Sequence, residues 1–334
     1  MFTSLDLANH FGFKIINGNL KALHREIKVQ ELDRPGLQLL GMFSFHQDDR
    51  IMLIGNKEIA LINDSDPEFI YKNALQLCSK NAPAIIVCQN EKCPEPLLRA
   101  ATKNNFPIFQ TPYETTDIMS RIYIYLNEAL APRTSVHGCL LDVFGVGILL
   151  LGESGIGKSE VSLDLIKKGH RIIADDSVNI ASVRGTLVGT CPSQIAGMME
   201  VRGIGIIDVA RMFGINSLEK KANISLAISL VRYEKGYRVE RLGMKTERYE
   251  ILSSTIPLIK LPVSPGRSMA EIIETAVTNF KLKDNGYDTT YEFQKRLETI
   301  QAQKKEKEHN LKLIMESEND WFIFFCLSKW LWPY

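Results

Sequence analysis

The chain has 334 residues, of which 45% are hydrophobic and 24% charged, and these ordinary values exclude a disordered or collagen-like protein. Lys and Arg total 40 against 39 for Asp and Glu, so the net charge of +1 predicts no overall attraction to nucleic acid or to an acidic membrane. At roughly 150 residues per domain, the length predicts about two domains.

The first residues and the cysteines indicate the cellular compartment. Residues 1–6 have neither the positive nor the apolar region of a secretory signal, so we expect a cytoplasmic protein. The six cysteines form no CxxC pair, which fits neither a disulfide framework nor a zinc site. We predict reduced, mostly structural thiols.

The first 130 residues alternate strand-like and helix-like segments. Apolar runs at 49–55 and 82–88 are bounded by turn formers, which predicts two buried strands. Between them, residues 66–77 begin with Asp-Pro and carry apolar residues at helical spacing, which predicts a helix. A helix near 94–103 and a strand at 107–109 follow. This pattern predicts an amino-terminal α/β domain, for which we expect a regulatory role.

A linker is predicted at 129–134, where small residues, a proline and a charge follow an amphipathic run. We therefore place the domains at 1–130 and 131–318, and the second ends in helices that begin with a capping box at 268–271. Residues 319–334 form an aromatic tail with all three tryptophans, shorter than the ~20 apolar residues of a transmembrane helix. We predict no membrane span. The tail packs on the body or is poorly ordered, and contact with a membrane surface is the alternative.

Residues 152–159 match the pattern G-x-x-x-x-G-K-[ST] in full. They are Gly152, Glu153, Ser154, Gly155, Ile156, Gly157, Lys158 and Ser159. In this pattern the glycines let backbone N–H groups surround phosphate oxygens, the lysine reaches the β- and γ-phosphates, and the serine hydroxyl can bind Mg²⁺. A predicted strand at 147–151 precedes the loop, and a predicted helix at 160–168 follows it. The sequence therefore predicts a nucleotide-phosphate site, and no N-K-x-D motif marks the base as guanine.

A second apolar strand begins at Arg171 and ends in two carboxylates, Asp175 and Asp176. It follows the phosphate-loop helix directly, so in a parallel sheet the two strand ends would share one edge. Carboxylates there can serve Mg²⁺ or take a proton from an attacking hydroxyl. The alternative is that one or both cap the next turn.

A third segment joins an acid, a base and two glycines to an apolar strand. It consists of Glu200, Val201, Arg202, Gly203, Ile204, Gly205, Ile206, Ile207, Asp208 and Val209. Glu200 would be a natural second metal ligand if this loop lay against the phosphates, although plain turn chemistry explains the segment equally well by itself. His137 is also ambiguous in isolation, because single histidines are more often structural.

Taken together, these segments closely resemble the HPr kinase/phosphorylase family. The resemblance rests on His137-Gly138, Gly145-Val146-Gly147, the loop through Glu160, Lys168-Gly169-His170, Ala174-Asp175-Asp176 and the family signature Glu200-Val201-Arg202-Gly203-Ile204-Gly205. Further matches are the residues 34–39, 50–55 and 240–243 and the segment Pro262, Val263, Ser264, Pro265, Gly266 and Arg267. The resemblance covers about residues 5–300 and lapses beyond Glu308.

The resemblance implies an α/β fold of two domains, the second a P-loop kinase domain with a carboxykinase-like core and C-terminal helices. It implies a bifunctional enzyme that phosphorylates a serine of HPr, a small phosphocarrier of bacterial sugar uptake, with ATP or pyrophosphate. The same enzyme would remove the phosphate by phosphorolysis with inorganic phosphate, in control of carbon metabolism. It also implies a homohexamer built on the carboxy-terminal domain.

The resemblance further implies roles for individual residues. Lys158 and the loop bind phosphates, Ser159 and Glu200 hold Mg²⁺, and Asp176 takes the serine proton and returns it in the reverse reaction. His137 is a catalytic-site residue, and Arg241 stabilises charge on the transferring phosphoryl group. Residues 200–209 serve both reactions, and residues 262–267 serve mainly dephosphorylation.

Two other functions remain open from the residues alone. One is a nucleotide-sensing regulatory module that uses the P-loop as a switch. The other is a small-molecule kinase or carboxykinase-like enzyme. A pure switch has no need of a base for a serine, and a small-molecule kinase has no reason for the signature at residues 200–205.

Overall fold

A computed structural model of the chain describes residues 1–44, 46–78, 81–232, 247–264 and 266–330, with side chains described up to residue 310. The chain divides into two compact units. The first comprises Met1–Thr134, Ile180–Val188 and Leu252–Ser254, and the second comprises Ser135–Asn179, Gly189–Ile251 and Thr255–Tyr334.

The first unit contains a five-stranded sheet with the strand order β1-β5-β4-β3-β2. Its strands are β1 (Lys14–Asn17), β2 (Leu32–Asp33), β3 (Ile51–Ile54), β4 (Ile85–Val87) and β5 (Ile108–Gln110). Strands β2 to β5 are parallel, and β1 is antiparallel to β5. Its helices are α1 (Ser4–Phe11), α2 (Leu20–Leu23), α3 (Gly36–Leu39), α4 (Asn56–Asn63), α5 (Pro67–Leu77), α6 (Glu95–Lys103) and α7 (Thr115–Ala129).

Both faces of this sheet are covered, which explains the continuous apolar runs in its sequence. Alternate residues of β3 pack into different hydrophobic cores. Met52 and Ile54 belong to one core, and Ile51 and Leu53 belong to the other. The strands and helices predicted between residues 49 and 130 are confirmed, and α5 begins after Asp66, whose side chain accepts from the N–H of Phe69. The sequence interpretation missed α1, which begins with a Thr3–Asp6 capping box.

The remaining strands form a nine-stranded sheet with a separate two-stranded hairpin. They are β6 (Arg133–His137), β7 (Cys139–Val143), β8 (Val146–Gly152), β9 (Arg171–Ala174), β10 (Ser177–Val183), β11 (Thr186–Thr190), β12 (Met198–Val201), β13 (Gly205–Asp208), β14 (Lys221–Arg232), β15 (Glu247–Ile251) and β16 (Ser254–Val263). The main path of the sheet is β6-β10-β11-β14-β8-β7-β9, β16 also pairs with β14 and β15, and β12 pairs with β13.

Strand β7 lies between β8 and β9 and is antiparallel to both. The sheet is therefore mixed, and β9 is not a parallel neighbour of β8. Because β8 and β9 both run against β7, their carboxyl ends still lie at one edge of the sheet. That edge carries the loop at 152–159, which the sequence predicts to bind phosphate, after β8 and the two aspartates after β9.

Helix α8 (Lys158–Lys167) and helix α10 (Met269–Asp284) belong to the core of the second unit. Leu165 and Ile273 are fully buried in the cluster that also holds Val146, Ile148 and Leu150 of β8. A short helix, α9 (Val209–Phe213), follows β13, and single 3₁₀ turns lie at Ser193–Ile195 and Ile215–Ser217. The helix predicted after the loop is confirmed and ends before Gly169, whose φ is 95°.

The helical region predicted from residue 268 consists of two helices. Ser268 caps α10 and accepts a hydrogen bond from the N–H of Glu271. The helix ends at Asp284, and Asn285 and Gly286 follow it, the latter with a positive φ. Helix α11 (Thr289–Trp330) continues past Glu318, so the backbone of much of the aromatic tail is helical. Across the described residues, none of the helices combines the length and apolar character needed to cross a membrane.

Candidate active site

The glycines of the phosphate-binding loop adopt backbone angles that residues with side chains rarely take. The φ angles of Gly152, Gly155 and Gly157 are 150°, 76° and 106°. A Cβ atom added to Gly152 would lie 2.9 Å from the carbonyl oxygen of Leu230 on β14. The loop requires glycine at this position because the neighbouring strand leaves no space for a side chain.

Lys158 is the first residue of α8 and is buried. Its Nζ donates to the carbonyl oxygens of Gly152 at 2.9 Å and Glu153 at 3.1 Å, and it lies 3.1 Å from Nε2 of His137. An ammonium group has three donors and no acceptor, so these contacts use all three donors. To bind a phosphate oxygen, Lys158 must give up at least one of these three contacts.

The contact with Lys158 assigns the hydrogen positions of His137. Because Lys158 can only donate, Nε2 of His137 is the acceptor, and Nδ1 carries the hydrogen. That Nδ1 lies 2.9 Å from the backbone oxygen of Asp176 and 3.1 Å from its Oδ1. The imidazole therefore connects the lysine of the loop to the second of the two aspartates.

The two aspartates lie in different surroundings. Strand β9 ends at Ala174, and Asp176 has a left-handed φ of 65°, so the chain turns between the two carboxylates. The side chain of Asp176 is 72% exposed, whereas Asp175 is 4% exposed as a residue. Only Asp176 is open to a hydroxyl on another molecule.

Asp175 lies beneath the loop and accepts hydrogen bonds from two elements. The Oγ of Ser159 is 3.1 Å from each of its carboxylate oxygens, and the Sγ of Cys139 is 2.9 Å from Oδ1. Burial, together with the charge of Asp175, raises the pKa of the Cys139 thiol. The thiol therefore keeps its proton and acts as a donor.

The hairpin β12–β13 carries the glycine-rich segment 200–209. Val201, Ile207 and Val209 are buried in the core that contains α8. The turn and the start of β13 are exposed, with Ile204 73% and Ile206 76% accessible. Half of the segment thus anchors the hairpin, and the other half faces solvent.

Two charged residues of this hairpin matter for the site. A Cβ atom added to Gly155 would lie 3.5 Å from Nη2 of Arg202, so the guanidinium lies close to the phosphate-binding loop. Glu200, paired with Ile206 across the hairpin, is exposed. Of Arg202 and Glu200, it is Arg202 that has a described contact with the phosphate-binding loop.

The segment 262–267 begins at the same sheet edge. Gly152 pairs with Leu230 on β14, and the next residues of β14 pair with Pro262 and Val263 on β16. Gly266 and Arg267 follow before α10. Pro265 of this segment and Arg241 lie outside the described residues.

The oxygen donors at this edge suit Mg²⁺. Within the described ranges, no three His, Cys, Asp or Glu side chains gather into a metal cage. Mg²⁺ does not need such a cage, because it is usually held by one or two protein oxygens, by waters and by substrate phosphates. The Ser159 hydroxyl at the end of the loop is one such oxygen, and the Asp175 carboxylate lies 3.1 Å behind it.

The structure adds one side chain that sequence reasoning did not assign to the site. Cys139 reaches Asp175 from the start of β7. The sequence gives no signal for this contact, because it depends on strand pairing between distant residues. Arg202, which the sequence places in the glycine-rich segment, approaches Gly155 from the hairpin.

Models of known families and curated relatives match most of the chain. A model of the HPr serine kinase N terminus matches residues 3–126, and a model of the HPr serine kinase C-terminal domain matches residues 128–297. HPr kinase/phosphorylase 1 of Oceanobacillus iheyensis is 39% identical over 296 residues, covering 88% of this chain and 95% of that relative. HPr kinase/phosphorylase of Enterococcus faecalis is 41% identical over 292 residues, covering 87% and 94%.

A solved structure of the HPr(Ser) kinase/phosphatase from Coxiella burnetii has a TM-score of 0.44 to this chain and 38% identity. The match covers 48% of this chain and 98% of the Coxiella burnetii chain.

Proposed function

The chain belongs to the HPr kinase/phosphorylase family, and we propose that it phosphorylates a serine of HPr and removes that phosphate again. The observation that supports this most directly is that Lys158 of the phosphate-binding loop and the exposed Asp176 both contact His137. A phosphoryl donor on the loop would lie beside a carboxylate that is open to a protein hydroxyl. Transfer to a serine needs both groups.

In the kinase direction, the serine oxygen of HPr attacks the terminal phosphoryl group of ATP or pyrophosphate. Asp176 accepts the serine proton as the new P–O bond forms, and the bond to the leaving phosphate oxygen breaks. Lys158 offsets the phosphate charge, and the loop N–H groups hold the remaining oxygens. A neutral serine hydroxyl is a poor nucleophile, so the proton acceptor is essential.

In the reverse direction, an oxygen of inorganic phosphate attacks the phosphorus of the phosphoserine. The serine–phosphorus bond breaks, Asp176 returns the proton to the serine oxygen, and pyrophosphate is released. One carboxylate therefore acts as base in one direction and as acid in the other. The exposure of Asp176 supports this double role, because the serine of a folded partner must reach it in both reactions.

His137 is proposed as the residue that couples the phosphate site to the proton acceptor. Its Nδ1–H donates toward Asp176, and its Nε2 accepts from Lys158. When Lys158 turns to a phosphate, the histidine loses a donor at Nε2. We expect it to keep Asp176 oriented through Nδ1.

Mg²⁺ would supply charge neutralisation and orientation of the donor phosphates when bound. We propose Ser159 and Glu200 as its protein ligands. The Ser159 hydroxyl beside the loop supports the first assignment. The assignment of Glu200 depends on the sequence resemblance.

Other parts of the proposal also depend on the resemblance. Arg241 is proposed to stabilise charge on the transferring group, residues 200–209 to serve both reactions, and residues 262–267 mainly the reverse one. We further propose a cytoplasmic homohexamer assembled through a carboxy-terminal catalytic domain at 131–318, with residues 1–130 regulatory.

The proposal is tested by incubating the purified chain with HPr, Mg²⁺ and ATP or pyrophosphate, and then with excess phosphate. Intact mass should show HPr gaining one phosphoryl group and then losing it. Lys158→Ala is the control and should fold but transfer nothing in either direction. A nucleotide-sensing module would bind nucleotide and leave the mass of HPr unchanged, which would contradict the proposal.

A further inference from the structure

The buried carboxylate of Asp175 is held from two sides. Ser159 donates to it from the first turn of α8, and Cys139 donates to it from the first residue of β7. Cys139 is 0% and Asp175 4% exposed, so the thiol–carboxylate bond forms out of contact with water. In such surroundings, removing the thiol leaves a carboxylate oxygen with one hydrogen-bond partner fewer. Water cannot take the place of that partner.

The direction of these bonds determines what the Ser159 hydroxyl can do. An ionised carboxylate only accepts hydrogen bonds, so Ser159 directs its hydrogen toward Asp175. The lone pairs of the Ser159 oxygen then remain available to a cation at the phosphates. The orientation of Asp175 therefore controls whether Ser159 can serve as a metal ligand.

Ser159 by itself does not fix that orientation. The last torsion of an aspartate side chain is broad, and Ser159 lies at the same 3.1 Å from both carboxylate oxygens. Cys139 contacts only Oδ1, and it does so from β7, a strand that is paired with a neighbour on each side. The thiol is thus the contact that distinguishes the two oxygens and fixes the plane of the carboxylate.

We propose that Cys139 is a positioning residue for Mg²⁺-dependent nucleotide binding. Its thiol orients Asp175, and Asp175 in turn orients the Ser159 hydroxyl toward the metal. This inference rests on the proposed function only in taking a Mg²⁺–nucleotide as the ligand of the loop. Among the described cysteines, Cys88 and Cys93 contact backbone oxygens no more than two residues away, at 3.9 Å.

The test measures equilibrium binding of ATP in the presence and absence of Mg²⁺, without HPr. Cys139→Ala should reduce the Mg²⁺-dependent gain in ATP affinity about 10-fold. This value is at the low end of the range for removing a residue that supports a metal ligand. We expect the low end because a thiol is a weak hydrogen-bond donor. Metal-free ATP affinity should remain at the wild-type value. Cys139→Ser keeps a donor and should restore most of the gain.

Cys88→Ala is the matched control, because it removes a fully buried sulfur from the other unit. It should change neither affinity. Equal losses with and without Mg²⁺ in Cys139→Ala, or a serine variant no better than the alanine variant, would show that Cys139 only fills space. Because no HPr is present, a failure of HPr phosphorylation leaves this result unaffected.

A second measurement on the wild-type protein applies if Cys139→Ala does not fold. The S–H stretching band of Cys139 is identified as the infrared band that Cys139→Ser lacks. If the thiol is coupled to the metal through Asp175, that band should shift when Mg²⁺ and ATP bind together, and not when ATP binds alone. An unchanged band in both cases would overturn the proposal.

Discussion

At the scale of single residues, the contact between His137 and Asp176 is the one on which the proposed proton transfer depends. His137 donates from Nδ1 to the backbone and side-chain oxygens of Asp176, and Lys158 holds its other nitrogen. Asp176 stays largely exposed despite this contact. The carboxylate is therefore oriented by the protein and still accessible to the serine of a partner.

We expect Asp176→Asn to slow both the kinase and the phosphorolysis reaction by about 10²- to 10⁴-fold, the usual effect of removing a general acid or base. An amide neither accepts nor releases the proton at useful rates. Nucleotide binding should be retained, because Lys158 and the loop hold the phosphates. Both rates and a nucleotide titration on one preparation check this prediction.

Asp175→Asn is the comparison that separates the two carboxylates. Because Asp175 is buried against Ser159 and Cys139, we expect this variant to lose Mg²⁺-dependent nucleotide affinity as well as rate. Near-normal transfer in Asp176→Asn together with normal Mg²⁺-dependent binding in Asp175→Asn would show that the roles are assigned wrongly.

At the scale of elements, one carboxylate of helix α10, that of Glu274, forms hydrogen bonds to the segment between α8 and β9. Glu274 accepts from Lys168 Nζ at 3.1 Å and contacts Nε2 of the buried His170 at 3.0 Å. The hydrogen bond with His170, followed by that with Lys168, lowers the pKa of Glu274 below its usual value. Glu274 therefore stabilises the packing of α10 in its ionised form.

Glu274→Gln should lower the Tm at pH 7 by about 2–4 °C, the shift expected for a loss of about 1 kcal/mol in a unit of this size. A carboxylate whose pKa is lower in the folded state stabilises the protein above its unfolded pKa, and this contribution disappears as the pH falls through the folded value. The difference from wild type should therefore vanish in acid. Thermal unfolding as a function of pH measures it.

Glu271→Gln provides the control for that experiment. Its carboxylate lies 3.8 Å from Lys168 and is 68% exposed, so its loss should scarcely change the Tm. A Glu274→Gln effect that stays constant down to low pH would show that packing, and not charge, explains the loss.

The end of β16 is the element for which the two reactions should differ. We expect Arg267→Ala to reduce phosphorolysis more than phosphorylation, because the segment 262–267 resembles the part of the family tied mainly to dephosphorylation. Both rates, measured on one preparation, test this expectation. Ser268→Ala is the control, since it removes the N-cap bond of α10 and leaves Arg267 in place.

The Ser268→Ala variant should lose about 1 kcal/mol of stability and keep the wild-type ratio of the two rates. Equal losses of both rates in Arg267→Ala would show that this segment serves phosphate chemistry in general. A changed ratio in Ser268→Ala would attribute the effect to the helix N-terminus.

At the scale of the whole molecule, the matched family regions end at residue 297, and helix α11 continues to Trp330. Every residue from 301 to 310 is exposed. Nothing in the proposed chemistry uses this part of the chain. The residues beyond the family match therefore lie outside the segments to which the proposed chemistry is assigned.

A chain truncated after Glu318 should keep both activities within about twofold, because its loop, aspartates and hairpin are unchanged. The same variant lacks all three tryptophans, so its tryptophan emission should disappear. Rates and fluorescence on one preparation check both statements. A large loss of transfer in the truncated chain would contradict the view that the tail lies outside the catalytic machinery.

Much of the site could be predicted from local residues. The glycines and Lys158 lie within one loop, and the apolar run before it and the helix after it are contiguous in the sequence, so their order alone predicts strand, loop and helix. The family signature at 200–205 is likewise one short segment. The sequence by itself therefore determined the family, the strand-loop-helix element at 147–168 and the existence of an acidic strand end, and it predicts that the loop binds phosphate.

Only the tertiary structure decided how the two acids differ. Strand alternation predicts that Asp175 and Asp176 point apart, but it does not tell which is buried, because β9 ends before both and Asp176 takes a left-handed φ. Cys139 lies 36 residues from Asp175 and meets it because β7 pairs with both β8 and β9. Such contacts depend on strand order, which short-range sequence patterns do not specify.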